Sequence, residues 1–127
     1  MSSHEIIKSL DLWLSSFSEE TTTNICSLYD EHASLWGTLS PIKRDTPALI
    51  ENYFFHIFKW PNRRVSVMDS TIRLYGNIAI CNGIYKFRWS DGASKVKMLA
   101  RFSFVYTKKK GRWFIIEHHS SSLPLVT

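Results

Sequence analysis

At 127 residues, with 44% apolar and 21% charged side chains, the chain has the profile of one folded domain over residues 1–127, large enough to fold without disulfides or a structural metal. This excludes a disordered chain. No apolar run nears the ~18 residues of a membrane span, and the MSSHEIIKSL start lacks the order of a secretory signal, so no membrane partner and a cytoplasmic location are expected. The formal charge of +5 is uneven: residues 1–60 carry four basic and eight acidic side chains, residues 61–127 twelve basic and three acidic, so the C-terminal half is the one that would draw an anion.

In chain order, Ile6, Ile7, Leu10, Trp13, Leu14 and Phe17 recur at helical intervals and predict a first helix, with Ser2 and Glu5 as a capping box. A shorter amphipathic stretch carries Ile25, Leu28 and Tyr29. ASLWGTLSP leaves the helical period and reads as a short strand with a turn at Ser40-Pro41. Thr46 as N-cap and Pro47 as the first helical residue open a third helix. Its buried stripe is Leu49, Ile50, Tyr53, Phe54, Ile57 and Phe58, and Trp60-Pro61-Asn62 stops it.

From Arg63 onward, β-branched and aromatic runs are punctuated by Gly76-Asn77, Asp91-Gly92 and Lys110-Gly111. These predict four strands near 63–75, 78–89, 94–107 and 112–121, joined by short turns and therefore antiparallel neighbours. Val96, Met98, Ala100, Phe102, Phe104 and Tyr106 form one apolar face of the third of these. Lys97, Leu99, Arg101, Ser103 and Val105 form a mixed one, as in a sheet that covers helices on one side and meets a partner subunit on the other. An α+β domain and a homodimer are expected.

The last strand carries the most unusual run, Glu117-His118-His119-Ser120-Ser121-Ser122. Strict alternation places His118, Ser120 and Ser122 with Phe114 and Ile116, and His119 and Ser121 with Trp113 and Ile115. Either one set lines an interior pocket, or the strand frays into solvent beyond Glu117. Adjacent histidines on a strand point to opposite faces, and His4, His32 and His56 show no ligand spacing, so neither a metal nor another cofactor is expected. Trp36-Gly37-Thr38-Leu39-Ser40-Pro41 offers a close backbone approach beside a hydroxyl, or an ordinary strand end. Tyr53 presents its phenol inward, as a core tyrosine or a site residue. Arg101 is a candidate anion holder or a dimer-edge arginine. Lys108-Lys109-Lys110-Gly111-Arg112 reads as a solvated hairpin tip; with no recognition signature among the basic and aromatic residues, nucleic acid is not the expected partner.

The element order, together with LWGTLSP, IENYFFHIF, ARFSFVY and the HHSSSLP ending, resembles the nuclear transport factor 2-like superfamily. Within it the chain resembles relatives of the calcium/calmodulin-dependent protein kinase II association domain. The ending, His118-His119-Ser120-Ser121-Ser122-Leu123-Pro124, is similar to that of the iota-class carbonic anhydrases. The resemblance implies a cone-shaped fold, N-terminal helices on a curved antiparallel sheet, commonly dimeric, with a pocket between sheet and helices. It implies reversible hydration of carbon dioxide to bicarbonate, metal-free in several members. Thr38, Tyr53 and Ser120 would be the catalytic hydroxyls with His118 beside them. From their own positions on the last two strands, Arg101, His119 and Ser121 are expected to bind substrate. Because hydroxyls alone do not remove water's proton, His118 is expected to accept or relay it, cycling near pKa 6.5.

Overall fold

The apolar stripe that starts at Ile6 winds into α1 (Ser3–Ser16), which turns Ile6, Leu10 and Trp13 inward, with Phe17 buried just past its end. The computed structural model describes residues 3–124, so the capping box at Ser2 lies outside the described residues. A short α2 (Thr23–Ser27) buries Ile25. The chain then extends at Tyr29, which opens β1 (Tyr29–Trp36) instead of completing a helical stripe with Ile25 and Leu28. Sheet pairing overrides the helical spacing here: the Leu28 carbonyl accepts from Ile115 N–H at 2.9 Å, and Tyr29 pairs with Ile115. A two-residue β2 (Lys43–Arg44), too short to leave a periodic signal, follows the turn after Gly37.

α3 (Pro47–Ile57) begins as its sequence dictates, with Thr46 extended and its hydroxyl accepting from Leu49 N–H at 3.2 Å. It buries Ile50, Phe54 and Ile57. Arg63 then ties the helices together: its guanidinium donates to the carbonyls of Phe17 at 2.8 Å and Phe58 at 2.7 Å, and also to that of Glu19, while stacking on the Phe58 ring.

The four long strands are β3 (Arg64–Tyr75), β4 (Ile78–Asp91), β5 (Ser94–Lys109) and β6 (Arg112–Ser122). Gly76 and Gly92, at φ of 62° and 63°, close two of their turns in the left-handed region that a side chain disfavours. The sheet order is β2-β1-β6-β5-β4-β3, antiparallel except that β1 runs parallel to β6. α1 and α3 pack on one face, where Ala79, Cys81, Tyr85 and Phe87 of β4 and Ala100, Phe102, Phe104 and Tyr106 of β5 make the core.

Register shifts in β3 and β6, beside a third between Tyr29 and Ser34 of β1, bend the sheet and decide which residues look inward. In β3 the register slips between Val67 and Asp69; Gly83 lies opposite, where a Cβ would come 1.8 Å from the Asp69 carbonyl oxygen. In β6, Glu117 pairs with Val105 and Ile115 with Tyr106, which leaves Ile116 as the extra residue. This corrects the strict alternation expected for the last strand: His118 and Ser120 share the inner face with Ile115, not with Phe114 and Ile116. The strand does not fray beyond Glu117, because Ser120, Ser121 and Ser122 pair with Phe102, Arg101 and Ala100.

Candidate functional site

Between the helices and the inner face of the sheet lies a small cavity with about 20 Å³ open to the centre of a water molecule. That is room for a molecule of a few atoms. Its apolar wall includes Phe17, Leu35, Phe54, Ile57, Phe87 and Met98; its hydroxyls and imidazole come from three different elements and the loop after β1. Thr38 enters from the turn after β1, Tyr53 from α3, Tyr85 from β4, and His118 and Ser120 from β6. Gly37 makes this convergence possible: a Cβ there would stand 2.2 Å from the Tyr53 ring, so only glycine lets the tyrosine cross the end of β1.

The polar side chains form one connected network. The Trp13 indole N–H donates to the Tyr29 hydroxyl at 3.0 Å, and that hydroxyl lies 2.8 Å from Nδ1 of His118. On the other side of the imidazole, Nε2 is 3.2 Å from the Tyr85 hydroxyl, which donates to Ser120 Oγ at 2.5 Å. Ser120 in turn hydrogen-bonds Thr38 Oγ1. The Tyr53 phenol lies beside them, facing Thr38 and the backbone of Thr38 and Leu39, which temper the effect of burial on it. Phe104 stacks on the His118 ring with centroids 4.1 Å apart, and Trp13 meets it edge-on.

Burial keeps this network uncharged. His118 is 2% exposed, and burial, with a smaller contribution from the neighbouring His119, lowers its pKa to about 3. Burial likewise raises the phenols of Tyr29, Tyr53 and Tyr85 above the ordinary tyrosine range, against the hydrogen bonds that oppose it. The expectation that His118 cycles near pKa 6.5 is therefore corrected: the imidazole is neutral throughout the neutral range. Both its nitrogens are engaged by tyrosine hydroxyls. Among the described residues, no three His, Cys, Asp or Glu side chains gather within reach of one ion.

Of the seven residues the sequence nominates, the structure brings Thr38, Tyr53, His118 and Ser120 to the cavity and leaves Arg101, His119 and Ser121 away from it. Those three line a broader cleft on the opposite face of the sheet, with Asp69 and Asn82. The separation has one cause, the period of two along β5 and β6, which sends Arg101 outward between Ala100 and Phe102 and His119 outward between His118 and Ser120. Sequence reasoning missed Tyr85, Tyr29 and Trp13 as site residues. Tyr85 shares the inner parity of Cys81 and Phe87, a signal that was available; Tyr29 and Trp13 read as ordinary core residues until β1 and α1 bring their polar atoms to His118.

Helices packed on a curved, open sheet around such a cavity define a nuclear transport factor 2-like fold. The sequence matches the model of the calcium/calmodulin dependent protein kinase II association domain over residues 2–124, and the chain belongs to that family. A solved structure from Xanthomonas campestris, assigned to the same association domain, is 30% identical, with a TM-score of 0.92 over 99% of this chain and 91% of that one. A nuclear transport factor 2-like superfamily protein from Salmonella enterica is 20% identical, with a TM-score of 0.84 over 98% and 92%. The kinase II hub homology domain from Chlamydomonas reinhardtii is 14% identical, with a TM-score of 0.81 over 98% of this chain and 100% of that one. No curated protein matches the chain.

Proposed function

We propose that the chain is a carbonic anhydrase of the iota type, hydrating carbon dioxide reversibly to bicarbonate in the cavity between α1, α3 and the sheet. One observation carries the reading: hydroxyls from Thr38, Tyr53, Tyr85 and Ser120 converge on about 20 Å³ of otherwise apolar space. A linear molecule of three atoms suits that space, and an apolar wall admits it without loss of hydration. Fixed hydroxyl dipoles then meet its oxygens where negative charge develops as the carbon is attacked. None of the polar groups that line the cavity is charged at neutral pH to hold a dianion. Stopped-flow hydration of carbon dioxide tests the reading, on untreated and chelator-treated protein. Turnover that survives chelation and falls with Ser120→Ala and Thr38→Ala is expected; hydration no faster than buffer in both preparations refutes it.

The outward face favours a second role beside the first, a homodimer joined through the sheet. Leu99 and Trp36 are more than a third exposed there, beside the cleft that holds Arg101 and Ile84. Apolar residues grouped on an exposed sheet mark an interaction surface, and the family is named for association. If hydration is absent, association or the binding of a small ligand on this fold is the function that stands. Among the described residues no helix is long and apolar enough to cross a membrane.

A further inference from the structure

We propose that Trp13 sets the direction of the whole hydrogen-bond chain, so that the cavity is a cup of hydroxyl donors for a small acceptor-only molecule and His118 is a positioning residue in it rather than its base. An indole N–H can only donate. Trp13 gives it to the Tyr29 oxygen, and Tyr29 has one other polar partner among the described residues, Nδ1 of His118. The Tyr29 proton therefore goes to Nδ1. A neutral imidazole that accepts at Nδ1 carries its proton on Nε2, which faces the Tyr85 hydroxyl. Tyr85 is then free to donate to Ser120, which leaves the Ser120 proton to be passed on to Thr38. Every proton from Trp13 to Ser120 points toward the cavity.

The reversed chain is disfavoured at its far end. It needs a proton on Nδ1, which would give the Tyr29 oxygen two donors and leave its own proton without an acceptor in a buried site. A ligand in the cavity consequently meets the O–H that the Thr38–Tyr53 pair leaves over at the end of the chain. Such a site fits carbonyl or carboxylate oxygens. It does not fit a ligand that must give up a proton.

Naming that acceptor carbon dioxide rests on the function proposed above, and it fixes the nucleophile. No described group in the cavity is a free base, so the attacking species is hydroxide from solvent. Its lone pair forms the new C–O bond while one C=O π pair moves onto the oxygen held by the hydroxyls, giving bicarbonate with no proton to remove. Hydration should then rise with pH in proportion to hydroxide, with no plateau near the pKa of an imidazole.

The test is long-range ¹H–¹⁵N NMR of the ligand-free protein, which reads the two His118 nitrogens separately. The Nε2–H tautomer is expected in at least about tenfold excess, unchanged from pH 8 to pH 5. In Trp13→Phe the Tyr29 oxygen becomes free to accept from Nδ1–H, and the excess should fall toward parity. Tyr29→Phe, which removes the donor to Nδ1, should lower the excess as well and serves where Trp13→Phe does not fold. A wild-type His118 in the Nδ1–H form, or one titrating between pH 5 and 8, overturns the proposal. So does an unchanged ratio in a folded variant. A hydration rate that levels off between pH 6 and 7 overturns the hydroxide step. Absence of hydration with the Nε2–H tautomer in place removes the proposed function and leaves the polarity of the chain established.

Discussion

Consecutive residues of β6 live in opposite worlds. His118 and Ser120 look inward, 2% and 5% exposed, while His119 and Ser121 look outward toward an open cleft with Arg101. The residue types are the same on both faces. Inside, each polar atom must find a protein partner or lose its hydrogen bond altogether, so the five hydroxyls, one imidazole and one indole are locked into a single arrangement. Outside, water satisfies the same groups in many arrangements and fixes none. It is therefore burial on a curved sheet, rather than the HHSSS run itself, that turns these side chains into a site.

The same substitution on either face should have unequal consequences. Ser120→Ala removes the hydroxyl between Tyr85 and Thr38, and carbon dioxide hydration should fall about 100-fold, the usual loss for one positioned donor. Ser121→Ala, one residue further on, should change it less than about twofold. Equal losses in stopped-flow assays would move the chemistry to the outer face.

A second test uses pH on the two histidines. In the unfolded chain an imidazole takes its proton near pH 6.5, whereas folded His118 does so near pH 3. Between those values the unfolded state binds more protons, so stability is lost as pH falls below 6.5: about 2 kcal/mol between pH 7 and 5 if the unfolded imidazole titrates fully. Urea titrations at the two pH values should show this loss in the wild type and nearly all of it in His119→Gln. Persistence of full stability at pH 5 would show that His118 accepts a proton in the folded state.

A third change acts on the wall of the cavity. Gly37→Ala places a methyl 2.2 Å from the Tyr53 ring, and the ring must swing aside. A stability loss of about 1.5 kcal/mol, typical of overpacking, should appear in chemical denaturation. Hydration should drop with it, because Tyr53 leaves the hydroxyl group it completes.

Much of the frame is legible in the residues. Thr46-Pro47 starts α3 where its cap chemistry says, and the three glycine-bearing turns separate β3 to β6. The alternation from Val96 to Tyr106 assigns the inner face of β5 correctly. Three things are not legible, each for a physical reason. Tyr29 reads as helical because its spacing from Ile25 is helical, and only the parallel pairing with β6 draws it into a strand. The parity of β6 depends on the bulge at Ile116, which no turn residue announces. Trp13 belongs to an apolar stripe, and its indole N–H becomes part of the site only when α1 lies across His118. Thr38, Tyr53, His118 and Ser120 are nominated by resemblance; that Arg101 faces outward could have been seen in the alternation of β5, whereas the outward facing of His119 and Ser121 waits on the parity that the bulge gives β6.

The smallest expected change in stability concerns the outward face. Leu99 is more than a third exposed there, between Lys97 and Arg101 on the same face of β5. In a symmetric dimer this patch meets its own copy, so any charge placed on it is met by the same charge from the partner. Leu99→Lys therefore adds like-charge repulsion beside Arg101 while touching nothing in the core: denaturation should shift by less than about 0.5 kcal/mol, and hydration should stay within about twofold. Sedimentation should nevertheless show the dimer giving way to a single chain. A variant that sediments as the wild type does would take the dimer off this face. One that loses hydration on becoming monomeric would show that the inner cavity depends on the outer contact, joining the two faces that β6 otherwise keeps apart.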